Sequence, residues 1–270
     1  MKFKLALCQM AGTDNKEKNK VVAGEFCHKA ADQGAQIIVL PEMWNCPYSN
    51  EYFRPFSEPE DGETAQFLGN LAKDLSCYLV GGSFPEIDAE GNVYNTSLSF
   101  DPKGQVIAKH RKAHLFDIDI DGGIRFMESE TLTAGNKVTV MDTEFGKVGV
   151  AICYDVRFPE LFRAMALEGA KLVILPAAFN MTTGPVHWQL TMRARALDNQ
   201  LYLAACAPAR VDNGIYLSYG HSMVADPWGQ VMAETGSRED IVVATIDTEY
   251  VDSVRRQLPL LAHRREELYR

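Results

Sequence analysis

The chain has 270 residues, 46% of them hydrophobic and 23% charged, enough apolar material for a sizeable core and a length that fits one large α/β domain over 1–270. A formal charge of −9 and a pI near 5.2 disfavour nucleic acid and anionic membranes as partners, because both select a basic surface. No apolar run approaches the roughly 18 residues of a membrane-spanning helix, and the opening MKFKLALCQMAG has too short an apolar stretch for a secretory signal, so a cytoplasmic location is expected.

In chain order, the apolar run at 5–9 reads as a buried strand and 16–31 as a helix, with Val22, Phe26 and Ala30 recurring at i+4. Ile37, Ile38, Val39 and Leu40 form a second buried strand that stops at Pro41. A further helix is expected over 65–76, where Phe67, Leu68, Leu71 and Leu75 make an apolar stripe. In the second half, 148–154 reads as a strand, and 159–168 as a helix with Pro159 near its start and Gly169 just past its end. The run 172–175 is again a strand. Short apolar runs alternating with helical periods describe buried strands covered by helices.

The two halves echo each other. Gly34-Ala35-Gln36-Ile37-Ile38-Val39-Leu40-Pro41-Glu42 recurs half a chain later as Gly169-Ala170-Lys171-Leu172-Val173-Ile174-Leu175-Pro176-Ala177, each copy preceded by a strand that bears a cysteine, Cys8 or Cys153. Two related α/β halves would pack sheet on sheet with helices outside. Glu42 and Cys153 would then sit at the carboxyl ends of buried strands, where open α/β sheets carry their sites. A cysteine at a strand end is by default a small buried residue, and Cys8 occupies much the same local context as Cys153. The six cysteines include no C-x-x-C pair, which argues against a disulfide framework or a zinc site and predicts free thiols.

What sets Cys153 apart is its company, Pro41-Glu42 in one half and the cluster His110-Arg111-Lys112-Ala113-His114 between the halves. The strings LPEMWNCPY, KHRKAHLFDIDI, GVAICYDVRFPEL and PAAFNMTTGPVHW resemble the three signature regions and the substrate loop of the nitrilase (carbon–nitrogen hydrolase) superfamily, in particular its omega-amidase branch. The similarity runs over essentially the whole chain. It implies a four-layer α-β-β-α sandwich of two pseudo-symmetric halves, usually a homodimer, with a Glu42, Lys112, Cys153 triad and neither metal nor organic cofactor. The substrate would be a small amide. Cys153 attacks to give a thioester, Glu42 moves the protons, and Lys112 with the backbone N–H of Tyr154 stabilises the tetrahedral oxyanion. Burial would raise the pKa of Glu42 and the lysine charge would lower it; the sequence leaves the balance open. Glu128 corresponds to a second active-site carboxylate that helps to hold the lysine and the substrate amide.

The branch favours short carboxylates with a terminal amide, 2-oxoglutaramate and 2-oxosuccinamate, and a distal carboxylate needs a cation. Arg157, four residues after Cys153, is the choice; the resemblance adds Tyr48 and Thr183 as hydrogen-bonding partners and Phe179 as pocket wall. Each also has an ordinary reading: an ion pair for Arg157, core aromatics for Tyr48 and Phe179, a turn residue for Thr183. An amidase for deaminated glutathione, a nitrile-hydrolysing enzyme, a non-catalytic binding protein and a redox-sensing thiol protein are the competing functions. The intact Glu42, Lys112 and Cys153 speak against the binding protein, and the missing resolving cysteine against the redox sensor. His110, His114, His187 and His221 leave a Cys–His dyad as the second mechanism. The segment 117–128 fits the calcium-loop pattern D-x-D-x-D-G-x5-E, but Ile118 and Ile120 occupy positions that are polar in a solvated loop and no flanking helices are expected.

Overall fold

The computed structural model describes residues 1–212 and 214–269. The first half runs β1 (Lys2–Gln9), α1 (Lys16–Asp32), β2 (Ile37–Val39), α2 (Asn50–Phe56), α3 (Glu63–Leu75), β3 (Tyr78–Val80), β4 (Phe84–Ile87), β5 (Val93–Phe100) and β6 (Val106–Arg111). A hairpin of β7 (Asp117–Asp119) and β8 (Arg125–Met127) follows. The second half runs β9 (Val140–Thr143), β10 (Gly146–Val150), α4 (Pro159–Leu167), β11 (Leu172–Pro176), α5 (Gly184–Asn199), β12 (Tyr202–Cys206), β13 (Met223–Ala225), β14 (Val231–Glu234), β15 (Asp240–Asp247) and α6 (Thr248–Gln257).

Two sheets form. The first has the order β15-β1-β2-β3-β5-β4, with β6 also paired to β5; the second has the order β14-β13-β12-β11-β10-β9. The last strand therefore crosses to the first sheet, where β15 pairs antiparallel along the whole of β1, from Lys2 with Asp247 to Gln9 with Asp240. Strand alternation divides the apolar side chains between two jobs. Leu5, Leu7, Ile37 and Val39 meet Val148, Val150, Leu172 and Ile174 between the sheets. On the outer faces, Ala6, Cys8, Ile38 and Leu40 pack on α1 and α3, and Val173 and Leu175 pack on α4 and α5 through Phe162, Met165, Trp188 and Met192. The result is the expected α-β-β-α sandwich.

The echo between the halves is structural. β1 and β2 pair in parallel with Leu5 opposite Ile37, and β10 and β11 pair in parallel with Val148 opposite Leu172. The same register corrects the comparison of the two cysteines. Cys8 lies inside β1 and answers to Ala151, whereas Cys153 lies beyond the end of β10, at Val150, and has a φ of 44° that strand residues do not adopt. The helix expected at 65–76 starts two residues earlier, and α5 joins the list; its apolar residues are divided between buried Trp188 and Met192 and exposed Val186 and Leu190, so no single stripe marks it. The calcium-like segment is the β7–β8 hairpin rather than a loop between helices, with Asp117 opposite Met127. Its Glu128 turns inward and is fully buried.

Candidate active site

Glu42, Lys112, Glu128 and Cys153 converge from four different segments. Glu42 follows β2, in a turn whose next residue, Met43, has φ 49°. Gly82 passes so close beneath it that a Cβ there would lie 2.1 Å from the Pro41 carbonyl oxygen, so only glycine permits this path. Lys112 is the first residue past β6, held by its backbone N–H donating to the Asn95 carbonyl at 2.8 Å. Cys153 opens a 3-10 turn in the left-handed region, a conformation that for a non-glycine residue costs about 1–3 kcal/mol and persists only where the surroundings impose it.

The ammonium of Lys112 is fully buried and donates to Glu42 Oε1 at 3.0 Å, Glu128 Oε1 at 2.9 Å and the Tyr48 hydroxyl at 3.2 Å. Tyr48 in turn donates to Glu128 Oε1 at 2.6 Å. The second oxygen of each carboxylate takes a backbone N–H, Ala178 for Glu42 and Phe116 for Glu128, both at 2.7 Å. Cys153 is buried next to Glu42, and each perturbs the titration of the other. Beside this cluster lies a cleft lined by Glu42, Tyr48, Ala178, Tyr216 and Ser218.

Two carboxylates share one ammonium here, all three sealed from water. Burial accordingly wins at Glu42 and raises its pKa above the usual carboxylate range; the Lys112 charge opposes this and the Glu128 charge adds to it. Burial alone would lower Lys112, but the Glu128 and Glu42 charges outweigh it and hold the lysine protonated. Burial and the Glu42 charge push the Cys153 thiol well above its ordinary value, against the pull of Lys112. The arrangement is thus a neutral thiol beside a strengthened base and a permanent cation, suited to attack with concerted proton transfer rather than from a preformed thiolate.

Residues 4–256 match the model of the family described as "Carbon-nitrogen hydrolase". The chain belongs to the carbon–nitrogen hydrolase family. It is 48% identical to the Omega-amidase NIT2-A of Xenopus laevis over 99% of this chain and 97% of that one. Among solved structures it resembles Saccharomyces cerevisiae Nit3, described as a member of branch 10 of the nitrilase superfamily, with 44% identity, a TM-score of 0.90 and coverage of 98% and 97% of the two chains. It also resembles a mutant of the amidase from Nesterenkonia sp. AN1 that shows Michael addition of acrylamide at the active site cysteine. That match has 26% identity, a TM-score of 0.78 and coverage of 95% and 98%.

In this carbon–nitrogen hydrolase the expected substrate residues are unequally placed. Arg157 lies with its guanidinium 5.1 Å from the Phe179 ring centre and 5.6 Å from that of Tyr154, and Nη1 is 3.2 Å from His187 Nδ1. Phe179 is buried against Trp188. Thr183 donates its hydroxyl to Asn180 Oδ1 at 3.1 Å in the turn before α5. Tyr48 belongs to the lysine cluster itself and packs on Tyr216, whose hydroxyl donates to the Ala178 carbonyl. The histidines do not support a Cys–His dyad. His110 and His114 face Asp155, His187 faces Arg157, and His221 faces Glu234.

Asn95 is a member of this buried cluster that sequence reasoning missed. It reads as the start of an N-x-S/T sequon, yet it is fully buried in β5 and donates Nδ2 to Glu42 Oε1 at 2.8 Å. Its neighbour's side chain, Thr96, donates to Glu86 on the other face of the strand. Alternation along β5 puts Asn95 with Ser97 and Ser99, opposite apolar Leu98 and Phe100, so the strand pattern carried no signal of its burial.

Among the described residues, no helix is long and apolar enough to cross a membrane.

Proposed function

We propose that the protein is an omega-amidase that hydrolyses the terminal amide of 2-oxoglutaramate and 2-oxosuccinamate to the dicarboxylate and ammonia. The observation that carries this reading is the buried Glu42, Lys112, Glu128 and Cys153 cluster, in a chain nearly half identical to a curated omega-amidase. The Cys153 sulfur attacks the amide carbon while Glu42 takes the thiol proton. The oxyanion formed receives an N–H from Lys112, which gives up its longest bond, to Tyr48, and the backbone N–H of Tyr154. Collapse breaks the C–N bond as Glu42 returns the proton to departing ammonia. Glu42 then deprotonates water, which attacks the thioester and frees the acid, and the thiol regains its proton.

Glu128 orients Lys112 and Tyr48, and Arg157 on the Phe179 wall takes the distal carboxylate, with Tyr48 and Thr183 as polar contacts. The whole chain acts as one catalytic domain. A homodimer is part of the same reading, supported by the exposed Val186, Leu190 and Leu197 along α5. So is a cytoplasmic location, since six unpaired cysteines suit a reducing compartment.

The test is ammonia release from 2-oxoglutaramate, deaminated glutathione and a simple aliphatic amide, side by side. Preference for 2-oxoglutaramate is expected; preference for deaminated glutathione would keep the chemistry and change the substrate. Arg157→Ala is expected to lower kcat/KM for 2-oxoglutaramate about 10- to 100-fold, the worth of a charge-assisted hydrogen bond, and to leave the aliphatic amide unaffected. Equal losses on both substrates would make Arg157 structural.

A further inference from the structure

Asp155 is a fully buried carboxylate that the reaction above leaves unused. Its Oδ1 accepts the backbone N–H of His114 at 3.0 Å and faces His114 Nδ1 at 2.7 Å; its Oδ2 accepts the backbone N–H of Ile152 at 3.0 Å and faces His110 Nε2 at 2.9 Å. His110 and His114 stand two residues either side of Lys112, and Ile152 immediately precedes Cys153. One carboxylate therefore joins the turn that carries the thiol to the strand end that carries the ammonium. The histidines are held from behind as well. His110 Nδ1 lies 3.0 Å from Thr139 Oγ1, and the His114 ring stacks on Phe158 with centres 3.7 Å apart.

We propose that Asp155, with His110 and His114, is a positioning device that fixes the spacing between the Cys153 sulfur and the Lys112 ammonium. The proposal rests on the reading of those two groups as nucleophile and oxyanion donor. The need for such a device follows from the topology. β6 belongs to the first sheet and β10 to the second, so Lys112 and Cys153 leave different sheets. Apolar packing between sheets is non-directional; it sets their separation but resists sliding weakly. Four hydrogen bonds to one carboxylate are directional, and two of them anchor main chain on both sides of the gap. They also account for the charged state of Asp155: burial alone would raise its pKa, but the bonds from His110 and His114 and the Ile152 N–H hold it well below the usual carboxylate range. Its charge is not among the main influences on the thiol, which are burial, Glu42, Lys112 and Glu128. The role assigned to Asp155 rests on its main-chain contacts on both sides of the gap.

His114 is the position to vary, because its side chain is 32% exposed and tolerates change better than Asp155. His114→Asn keeps an N–H where Nδ1 was, whereas His114→Gln moves the N–H to the place of Nε2. The readouts are kcat and KM on 2-oxoglutaramate, the pH profile of Cys153 alkylation by iodoacetamide, and the melting temperature. We expect His114→Asn within about threefold of wild type, and kcat lowered about tenfold in His114→Gln and about 100-fold in Asp155→Asn, the scale of a misplaced reacting group. KM should hold within about twofold, and the alkylation profile should move to higher pH in His114→Gln and Asp155→Asn but not in His114→Asn, because a lysine set further from the thiol pulls its pKa down less. Equal activity of His114→Asn and His114→Gln, or losses that merely follow the folded fraction, would overturn the proposal. So would a profile that moves to lower pH in Asp155→Asn, which would make Asp155 an electrostatic influence on the thiol. If Asp155→Asn does not fold, the His114 pair still decides. Ammonia release by Cys153→Ala would instead sink the reading of the reaction, and an inactive Cys153→Ala with an indifferent His114 series would sink the positioning role alone.

Discussion

Lys112→Ala is expected to lower kcat by about 100- to 1000-fold and to destabilise the fold at neutral pH by about 3–5 kcal/mol. The kinetic part is the loss of a preorganised donor to the oxyanion. The stability part arises because Glu42 and Glu128 keep their backbone and side-chain bonds yet lose the one cation between them, at a site with no exposure to water. The lysine pKa is raised in the fold, so its stabilising contribution is fully present below its unfolded value and is lost only as pH rises through the folded one. Wild type therefore keeps that contribution throughout the neutral range. In the variant, Glu42, already raised by burial, moves further up. The deficit should be largest at about pH 8 and shrink towards about pH 5 as Glu42 takes up a proton. Urea unfolding of both proteins at the two pH values checks this, and a deficit independent of pH would mean that the ammonium is not the counter-charge of Glu42.

The architecture was readable because buried strands declare themselves. Ile37 to Leu40 and Leu172 to Leu175 are apolar on both faces because one face meets the other sheet and the next meets a helix, and that double burial is why the echo survives in the sequence. Glu42, Lys112 and Cys153 were legible as a set only through the resemblance; residue type alone gave each of them an ordinary reading. Three features were hidden. The direction of the Glu42 shift depends first on how completely the packed sheets bury it, which residue type does not state. Asn95 stands in an N-x-S/T triplet, and three letters carry no information on burial. Asp155 looked like any polar residue after the nucleophile, since its partners His110 and His114 are about forty positions away and meet it only when the two sheets pack. The likeness of Cys8 to Cys153 misled for a related reason. Sequence neighbours suggested equivalence, and strand register, which the sequence does not print, assigns Cys8 to Ala151 instead.

Glu42→Gln is expected to lower ammonia release by at least about 100-fold, the contribution of a positioned general base, and to leave the fold intact. Glutamine keeps the length of the side chain and an oxygen that can accept from Ala178 or Asn95, while Lys112 retains Glu128 as its partner. Because the pKa of Glu42 is raised by burial, its ionised form is a net cost to the fold once pH exceeds the folded value, and that cost is absent from the variant. Stability at neutral pH should therefore be equal or higher, the opposite of Lys112→Ala. The thiol gives an independent sign. The Glu42 charge is the second cause, after burial, of the high Cys153 pKa, and Lys112 acts against both. With Glu42 neutral, the alkylation profile of Cys153 should move to lower pH even as turnover stops. Loss of turnover together with a more acidic thiol identifies Glu42 as the base that takes the thiol proton. Loss of turnover with an unmoved thiol would mean that Glu42 acts only on the leaving group and on water, and retained turnover would remove it from the reaction.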